Sequence, residues 1–215
     1  MFQDRLDAGK QLAEKLRRYR DRPNTLILAL PRGGIVVGFA LYQALHLPLD
    51  VFITRKLRAS GNPEYALGAI TETGYRFYNP EALSLFGSSG EYLEREIAHQ
   101  RQEIEHRKHL YRGGCDLEDV RGRTVLVVDD GIATGSTVMA AVRGLGNLGA
   151  GPIVVAVPVA APSAVRDLER EAHEVVVVSE PAYFIAVGAH YREFPQVDDN
   201  EVAAYLRMAH QKTSA

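Results

Sequence analysis

Twice along the chain an unbroken aliphatic run ends in a glycine-bearing turn and passes straight into an apolar helical pattern. Residues 25–30 (TLILAL) run into Pro31, Arg32, Gly33 and Gly34, and then into the apolar stretch 35–45. Residues 124–129 (TVLVVD) run through a glycine- and hydroxyl-rich turn into a helix over 134–148. A continuous apolar run, unlike an alternating one, marks a strand covered on both faces, which is the condition of a parallel sheet between helices. Short strands at 49–54, 153–158 and 174–179, with a helix at 164–172, complete the alternation. The pattern predicts an α/β fold, a doubly wound and mainly parallel sheet flanked by helices, with right-handed crossovers. An amphipathic helix over 4–20 leads in, with Leu6, Leu12, Ala13 and Leu16 at helical spacing and Pro23 as its stop.

Two stretches break the alternation. Residues 55–116 hold a polar loop over 57–65, strand-like pieces at 67–71 and 75–78, and a charged helix over 91–111. That helix carries Leu93, Ile97, Ile104 and Tyr111 in one stripe, so one face packs and the other is solvated. The tail from residue 180 is aromatic and acidic and ends in a short helix.

Charge and cysteine content exclude several functions. Twenty-five basic residues against 27 acidic ones leave a net charge of −2, so no polybasic field points to nucleic acid or a membrane surface. One cysteine, Cys115, excludes an intrachain disulfide framework and a cysteine-rich zinc site. No apolar run reaches the roughly 18–20 residues of a membrane span, and the first residues lack a signal-peptide core. A soluble cytoplasmic protein is expected.

The chemistry concentrates in VLVVDDGIATGST, residues 125–137. A buried strand delivers Asp129 and Asp130 to its C-terminal end, the edge where doubly wound sheets bind ligands. The following loop, Ala133, Thr134, Gly135, Ser136 and Thr137, opens a helix whose free N–H groups and positive dipole end suit a phosphate. Its three hydroxyls add donors, and Gly135 allows close backbone approach. Carboxylates just ahead of a phosphate cradle point to a sugar phosphate. The turn Pro31, Arg32, Gly33, Gly34 is a second glycine-rich strand-to-helix turn at the same edge, with a guanidinium that can fork onto phosphate. Arg55 and Lys56 follow a core strand and head a polar loop that could close over an anionic leaving group and exclude water.

This string resembles the phosphoribosyl-diphosphate signature of the type I phosphoribosyltransferases: apolar residues, two acids, then a Thr-Gly-x-Thr loop. The likeness in element order runs from the first strand to Tyr191. It implies a Mg²⁺-dependent glycosyl transfer of ribose 5-phosphate between 5-phosphoribosyl 1-diphosphate and a nitrogen acceptor such as a nucleobase, within nucleotide metabolism. Asp129 and Asp130 would hold the ribose hydroxyls and reach the metal, and residues 133–137 would hold the 5-phosphate. The turn at Arg32, Gly33 and Gly34 would take the diphosphate across a cis Pro31–Arg32 peptide, with Arg55 and Lys56 on a flexible loop beside it. The chain is then one domain, 1–215, with 55–116 a flexible loop and helical insertion and 180–200 a small hood selecting the acceptor. In that hood Tyr183 or Phe184 would stack on the acceptor's plane. Ala133 and His190 stand where the 6-oxopurine enzymes of the family carry acids, which favours adenine or a non-purine amine over hypoxanthine and guanine. A homodimer is expected.

No residue presents itself as the acceptor's general base, which keeps a rival open: a protein of this fold that senses the sugar diphosphate and regulates something else. A Rossmann-type cofactor enzyme lacks its G-x-G-x-x-G after the first strand. The His106 and His109 pair on the charged helix reads as a solvated face rather than a metal site, and Cys115 as a passive thiol.

Overall fold

The structure is a computed structural model and describes residues 1–60, 62–86 and 90–211. In chain order the elements are α1 (Arg5–Lys15), β1 (Thr25–Ala29), α2 (Gly34–Leu45), β2 (Leu49–Val51), β3 (Thr54–Ala59), β4 (Asn62–Thr71), β5 (Arg76–Tyr78), α3 (Pro80–Phe86), α4 (Gly90–Arg112), β6 (Thr124–Val128), α5 (Ser136–Asn147), β7 (Ile153–Val159), α6 (Pro162–Leu168), β8 (Glu174–Ser179) and α7 (Asp199–Gln211). Five of the strands form one sheet in the order β2-β1-β6-β7-β8. Every pairing in it is parallel. The α/β reading holds.

Residue alternation sorts the sheet's two faces. Ile27, Ala29, Leu126, Val128, Val154 and Ala156 join a core with α1, α2 and α7. Leu26, Leu28, Val125, Val127, Val155 and Val157 join a second core with α5 and α6. Strands β1 and β7 are buried along their whole length, which is why they carry no polar alternation. The order places the topological switch between β1 and β6, because the chain runs outward from β1 to β2 and then returns to β6 on β1's other side. Ligands of open α/β sheets bind at the carboxyl ends of the strands at such a point.

Residues 55–116 differ from the expected loop. Strand 49–54 is shortened to β2, and Thr54 instead opens β3 of a separate antiparallel sheet, order β3-β4-β5. Most of the polar stretch 57–65 is therefore hairpin, with β3 pairing β4 from Thr54↔Thr71 to Ala59↔Asn62, and Gly61 lies outside the described residues. Leu57 and Ala59 are buried while Lys56 and Arg58 face out, a two-residue alternation too brief to register against the charge around it. The arm packs on α5, and α4 packs on β3. Asn79 caps α3, which the sequence reading did not anticipate, by accepting from the N–H groups of Glu81 and Ala82. Among the described residues no helix is long and apolar enough to cross a membrane.

Candidate active site

The end of β6 is closed in by two elements far away in sequence. Asp129 Oδ1 accepts from the Asp130 N–H at 2.8 Å. Asp130 Oδ2 accepts from Arg5 Nε at 2.7 Å, and the two side chains are 15% and 8% exposed. Arg5 lies in the first turn of α1; it also donates from an Nη to the Pro195 carbonyl at 2.7 Å and rests 3.7 Å above the Phe194 ring. The Tyr191 hydroxyl donates to the Asp130 carbonyl at 2.5 Å. On the other side sits the Pro31–Gly34 turn. A Cβ on Gly33 would lie 1.9 Å from Asp130 Oδ2, and one on Gly34 2.8 Å from the Val128 carbonyl oxygen, so only glycines let this turn seat against the acid-bearing strand.

The two acids are half-buried at the strand end. Burial is the main force on both carboxyls and pushes both upward. Asp129 is raised well above the ordinary carboxylate range, with the neighbouring Asp130 charge adding to the effect of burial. For Asp130 the Arg5 guanidinium works against burial. Both carboxyls thus resist ionisation, and the Arg5 guanidinium opposes that effect chiefly at Asp130.

Beside the acids opens a cavity of about 350 Å³. Asp129, Asp130, Ala133, Thr134, Gly135 and Thr137 line one side of it. Gly135 is left-handed at φ +76°, and the reversal it makes starts α5 at Ser136, two residues later than the sequence pattern placed it. The first N–H groups of a helix have no intrahelical acceptor, so this end of α5 faces the cavity as a donor set. Ser136 itself is not among the residues lining this cavity. The residue is 3% exposed and lines another cavity, which shares Thr134 and Gly135 with this one.

A second cavity, about 360 Å³, adjoins the first and is strongly basic. Arg32, Arg55, Lys56, Arg58 and Arg107 line it, and Pro31, Thr54, Lys56 and Thr137 are common to both cavities. The Pro31–Arg32 peptide is cis, as the resemblance implied. Arg55 is held by α4, through Gln100 Oε1 at 2.8 Å and Glu103 at 3.7 Å. Burial, and then the nearby Arg107 charge, lower its pKa. Arg32 and Lys56 make no side-chain hydrogen bond or ion pair among the described residues.

The tail arranges its aromatics differently from expectation. Tyr183 is 91% exposed and Phe184 stacks on His190 at 5.3 Å, and neither lines the cavity. Phe184 and Val187 pack instead against Phe2, Val159 and Tyr191 in a small core of their own. The tail residues that line the cavity are Val187 and Phe194. Sequence reasoning thus brought together Asp129, Asp130, Ala133, Thr134, Gly135, Thr137, Arg32, Arg55 and Lys56. It missed Arg5, Arg58, Arg107 and the wall at Val187.

Among the described residues there is no group of three or more His, Cys, Asp or Glu that could hold a metal. His99, His106 and His109 are exposed on α4, and Cys115 is a free, exposed thiol. Two carboxylates beside a cavity that a helix N-terminus faces nevertheless fit Mg²⁺, which uses one or two carboxylates, keeps several waters and takes its other oxygens from substrate phosphates.

Residues 2–193 match the family Phosphoribosyl transferase domain. A Mycobacterium tuberculosis (strain H37Rv) protein named "Putative phosphoribosyl transferase Rv0571c" is 40% identical over 213 residues, 98% of this chain but 47% of that protein. The chain thus spans about half the length of the curated relatives it matches. The crystal structure of TT1426 from Thermus thermophilus is 44% identical with a TM-score of 0.78, covering 95% of this chain and 97% of that one. A uracil phosphoribosyltransferase of Streptomyces griseus is 46% identical over 54 residues, 25% of this chain and 26% of that protein.

Proposed function

The chain belongs to the phosphoribosyl transferase domain family, and from that premise we propose that it is an enzyme moving ribose 5-phosphate between 5-phosphoribosyl 1-diphosphate and a nitrogen acceptor. The observation that carries this reading is the pair of adjoining cavities at the switch point. One is lined by two carboxylates and a hydroxyl-bearing helix N-terminus, and the other by five cations. Such a pair matches the two ends of one ligand, a sugar phosphate and a diphosphate joined at C1.

In this reading the carboxylates of Asp129 and Asp130 take the ribose hydroxyls, and Thr134, Gly135 and Thr137 take the 5-phosphate at the start of α5. The cations of the second cavity neutralise the charge that develops on the departing diphosphate. Fixing the ribose while the diphosphate is held makes the C1–O bond the weak point and keeps C1 in line for attack. Mg²⁺, held through Asp129 or Asp130, would supply charge neutralisation at the diphosphate and ribose oxygens. The acceptor enters between the 5-phosphate loop and the wall made by Val187 and Phe194. Ala133 puts no charge beside it, which favours adenine or a simple amine over a 6-oxopurine.

The test is a panel of purines, pyrimidines and amines incubated with the sugar diphosphate and Mg²⁺, with diphosphate release as the readout. Release with one class of acceptor supports the enzyme. Binding of the sugar diphosphate with silence across the panel supports the sensor instead, and no binding overturns both.

A further inference from the structure

The tail is held in two different ways along its length. Residues 190–193 are tied backbone to backbone to the start of the chain. The His190 carbonyl accepts from the Phe2 N–H, and the Arg192 and Glu193 N–H groups donate to the Phe2 and Gln3 carbonyls, each at 2.9 Å. The next stretch, 194–197, has no such frame. Among the described residues its one hydrogen bond is the 2.7 Å contact from an Arg5 Nη to the Pro195 carbonyl. Buried Val197 anchors its far end, and the Phe194 ring leans on Tyr191 at 4.9 Å. A segment with so few ties of its own takes its position from the side chain that reaches it.

That side chain has its other donor on the acid pair. Arg5 is 8% exposed at its side chain and lines the same cavity as Asp130 and Phe194. Its Nε donates to Asp130 Oδ2 at 2.7 Å while its face lies 3.7 Å from the centre of the Phe194 ring. A guanidinium is a rigid plane with donors in fixed directions, so the carboxyl, the carbonyl and the ring are not engaged independently. Little water reaches the group to replace a lost contact, which makes each contact costly to give up alone. The Gly33 backbone leaves no slack on the far side, since a Cβ there would sit 1.9 Å from Asp130 Oδ2 and 3.1 Å from Arg5 Nε. A ligand that pulls or turns the Asp130 carboxyl therefore tilts the plane on which Phe194 and Pro195 rest.

We propose that Arg5 is a positioning residue that links two walls of this cavity: engagement of the Asp130 carboxyl by a sugar phosphate is passed through the Arg5 guanidinium to Phe194 and Pro195, so the tail wall is set by the occupancy of the acid wall. The proposal rests on the reading of Asp129 and Asp130 as the ribose-binding acids. It gives the lead helix a part in the site although α1 lies outside both glycine-bearing turns.

The chain contains no tryptophan, so Phe194→Trp places a lone fluorescent ring in the tail wall. Ribose 5-phosphate with MgCl₂ is the probe; calorimetry measures its affinity and tryptophan emission reports the wall. In the Phe194→Trp chain the emission should shift saturably, with a midpoint within twofold of the calorimetric affinity. Adding Arg5→Lys keeps the positive charge but loses the planar fork, and it should remove most of the shift while ribose 5-phosphate still binds within about fivefold. Adding Arg5→Gln should abolish the shift, and the Lys variant covers the case in which the Gln variant does not fold. A merely structural role for Arg5 would lower the melting temperature of these variants and leave the ligand-dependent shift in place. An equal shift with and without Arg5→Lys overturns the proposal. So does loss of ribose 5-phosphate binding itself in Arg5→Lys, which would make Arg5 a ligand contact instead. Calorimetric binding with no emission change in the Phe194→Trp chain defeats the proposal and spares the function, whereas a wild type that does not bind ribose 5-phosphate defeats both.

Discussion

Arg5 and Asp130 stand 125 positions apart in the chain and 2.7 Å apart in space. The contact pins the lead helix to the end of the central strand, and through Phe194 and Pro195 it draws the tail over the same point. One guanidinium thus ties the first element, the acid pair and the tail into a single corner.

Breaking that corner from one side should be worse than breaking it from both. Arg5→Gln leaves the half-buried Asp130 carboxylate unpaired, and removal of one partner of a buried pair costs about 3–5 kcal/mol. Asp130→Asn added to it removes the stranded charge and should recover much of that loss. Denaturant unfolding of both single variants and the double variant measures the coupling. Additive losses would show that the two residues do not depend on each other.

Sequence reasoning found the corner's acids and missed its arginine for a definable reason. Asp129, Asp130 and the loop to Thr137 are contiguous, so their order alone carries the chemistry. Arg5 and Arg107 reach the site only through tertiary packing. A signal was nevertheless present in both cases. Arg5 shares the buried face of α1 with Ala8 and Leu12, and Arg107 sits with Gln100 in the buried stripe of α4 between Ile97, Ile104 and Tyr111. A cation on a helix's core-facing stripe needs a reason, and here each one borders one of the two cavities at the sheet edge. The sheet was legible because β1, β6 and β7 are nearly pure aliphatic runs. The β3–β4 hairpin was not, since its register shifts near Arg58 and Ala59 and its alternation is interrupted. The tail misled in another way, because exposed Tyr183 and stacked Phe184 look alike in sequence, and only the backbone path separates them from Phe194.

Asp129 provides a pH test. Its carboxyl is raised well above the ordinary value of 3.8, chiefly by burial, so the folded state holds this proton more tightly than the unfolded chain does. Stability therefore falls as pH rises from about 4 through the raised folded value, and the full penalty applies above it. Asp129→Asn cannot ionise. It should melt higher than the wild type at pH 7, with the difference shrinking as pH is lowered toward 4, while affinity for 5-phosphoribosyl 1-diphosphate with Mg²⁺ drops at least tenfold. A variant that instead melts lower at pH 7 and binds normally would mark Asp129 as a structural cap.

Gly33 is a steric gate between the two turns. An alanine there would place its methyl 1.9 Å from Asp130 Oδ2, an oxygen that Arg5 holds and that cannot swing away freely. Gly33→Ala should therefore displace either the turn or the carboxylate and reduce sugar-diphosphate affinity at least tenfold, with the circular dichroism spectrum retained. Gly146, whose Cβ direction meets nothing within 4 Å, is the control position. Equal affinity in Gly33→Ala and Gly146→Ala would mean that the turn yields without consequence.

The cavity beside the acid pair separates the aromatic residues by position. Phe194 is 36% exposed and lines the cavity, with the Arg5 guanidinium 3.7 Å above its ring and the Tyr191 ring 4.9 Å away, whereas Tyr183 is 91% exposed and Phe184, stacked on His190, lies outside the cavity lining. A ring that contacts a planar acceptor contributes about 1–3 kcal/mol by alanine substitution, equivalent to roughly a tenfold change or more in acceptor KM. Loss of the cation–π contact with Arg5 costs about 0.5–2 kcal/mol of stability. Phe194→Ala should thus raise acceptor KM about tenfold and lower the melting temperature, while pyrophosphate affinity stays within twofold because the proposed diphosphate site is the neighbouring cavity. Tyr183→Ala should change neither constant, since its ring stands in solvent. Leu substituted for Phe194 keeps apolar bulk and removes the flat face, so recovery of the melting temperature without recovery of acceptor KM isolates stacking from packing. If Tyr183→Ala raises acceptor KM while Phe194→Ala does not, the tail must close over the acceptor by a route that brings Tyr183 inward, and the wall is Tyr183 rather than Phe194.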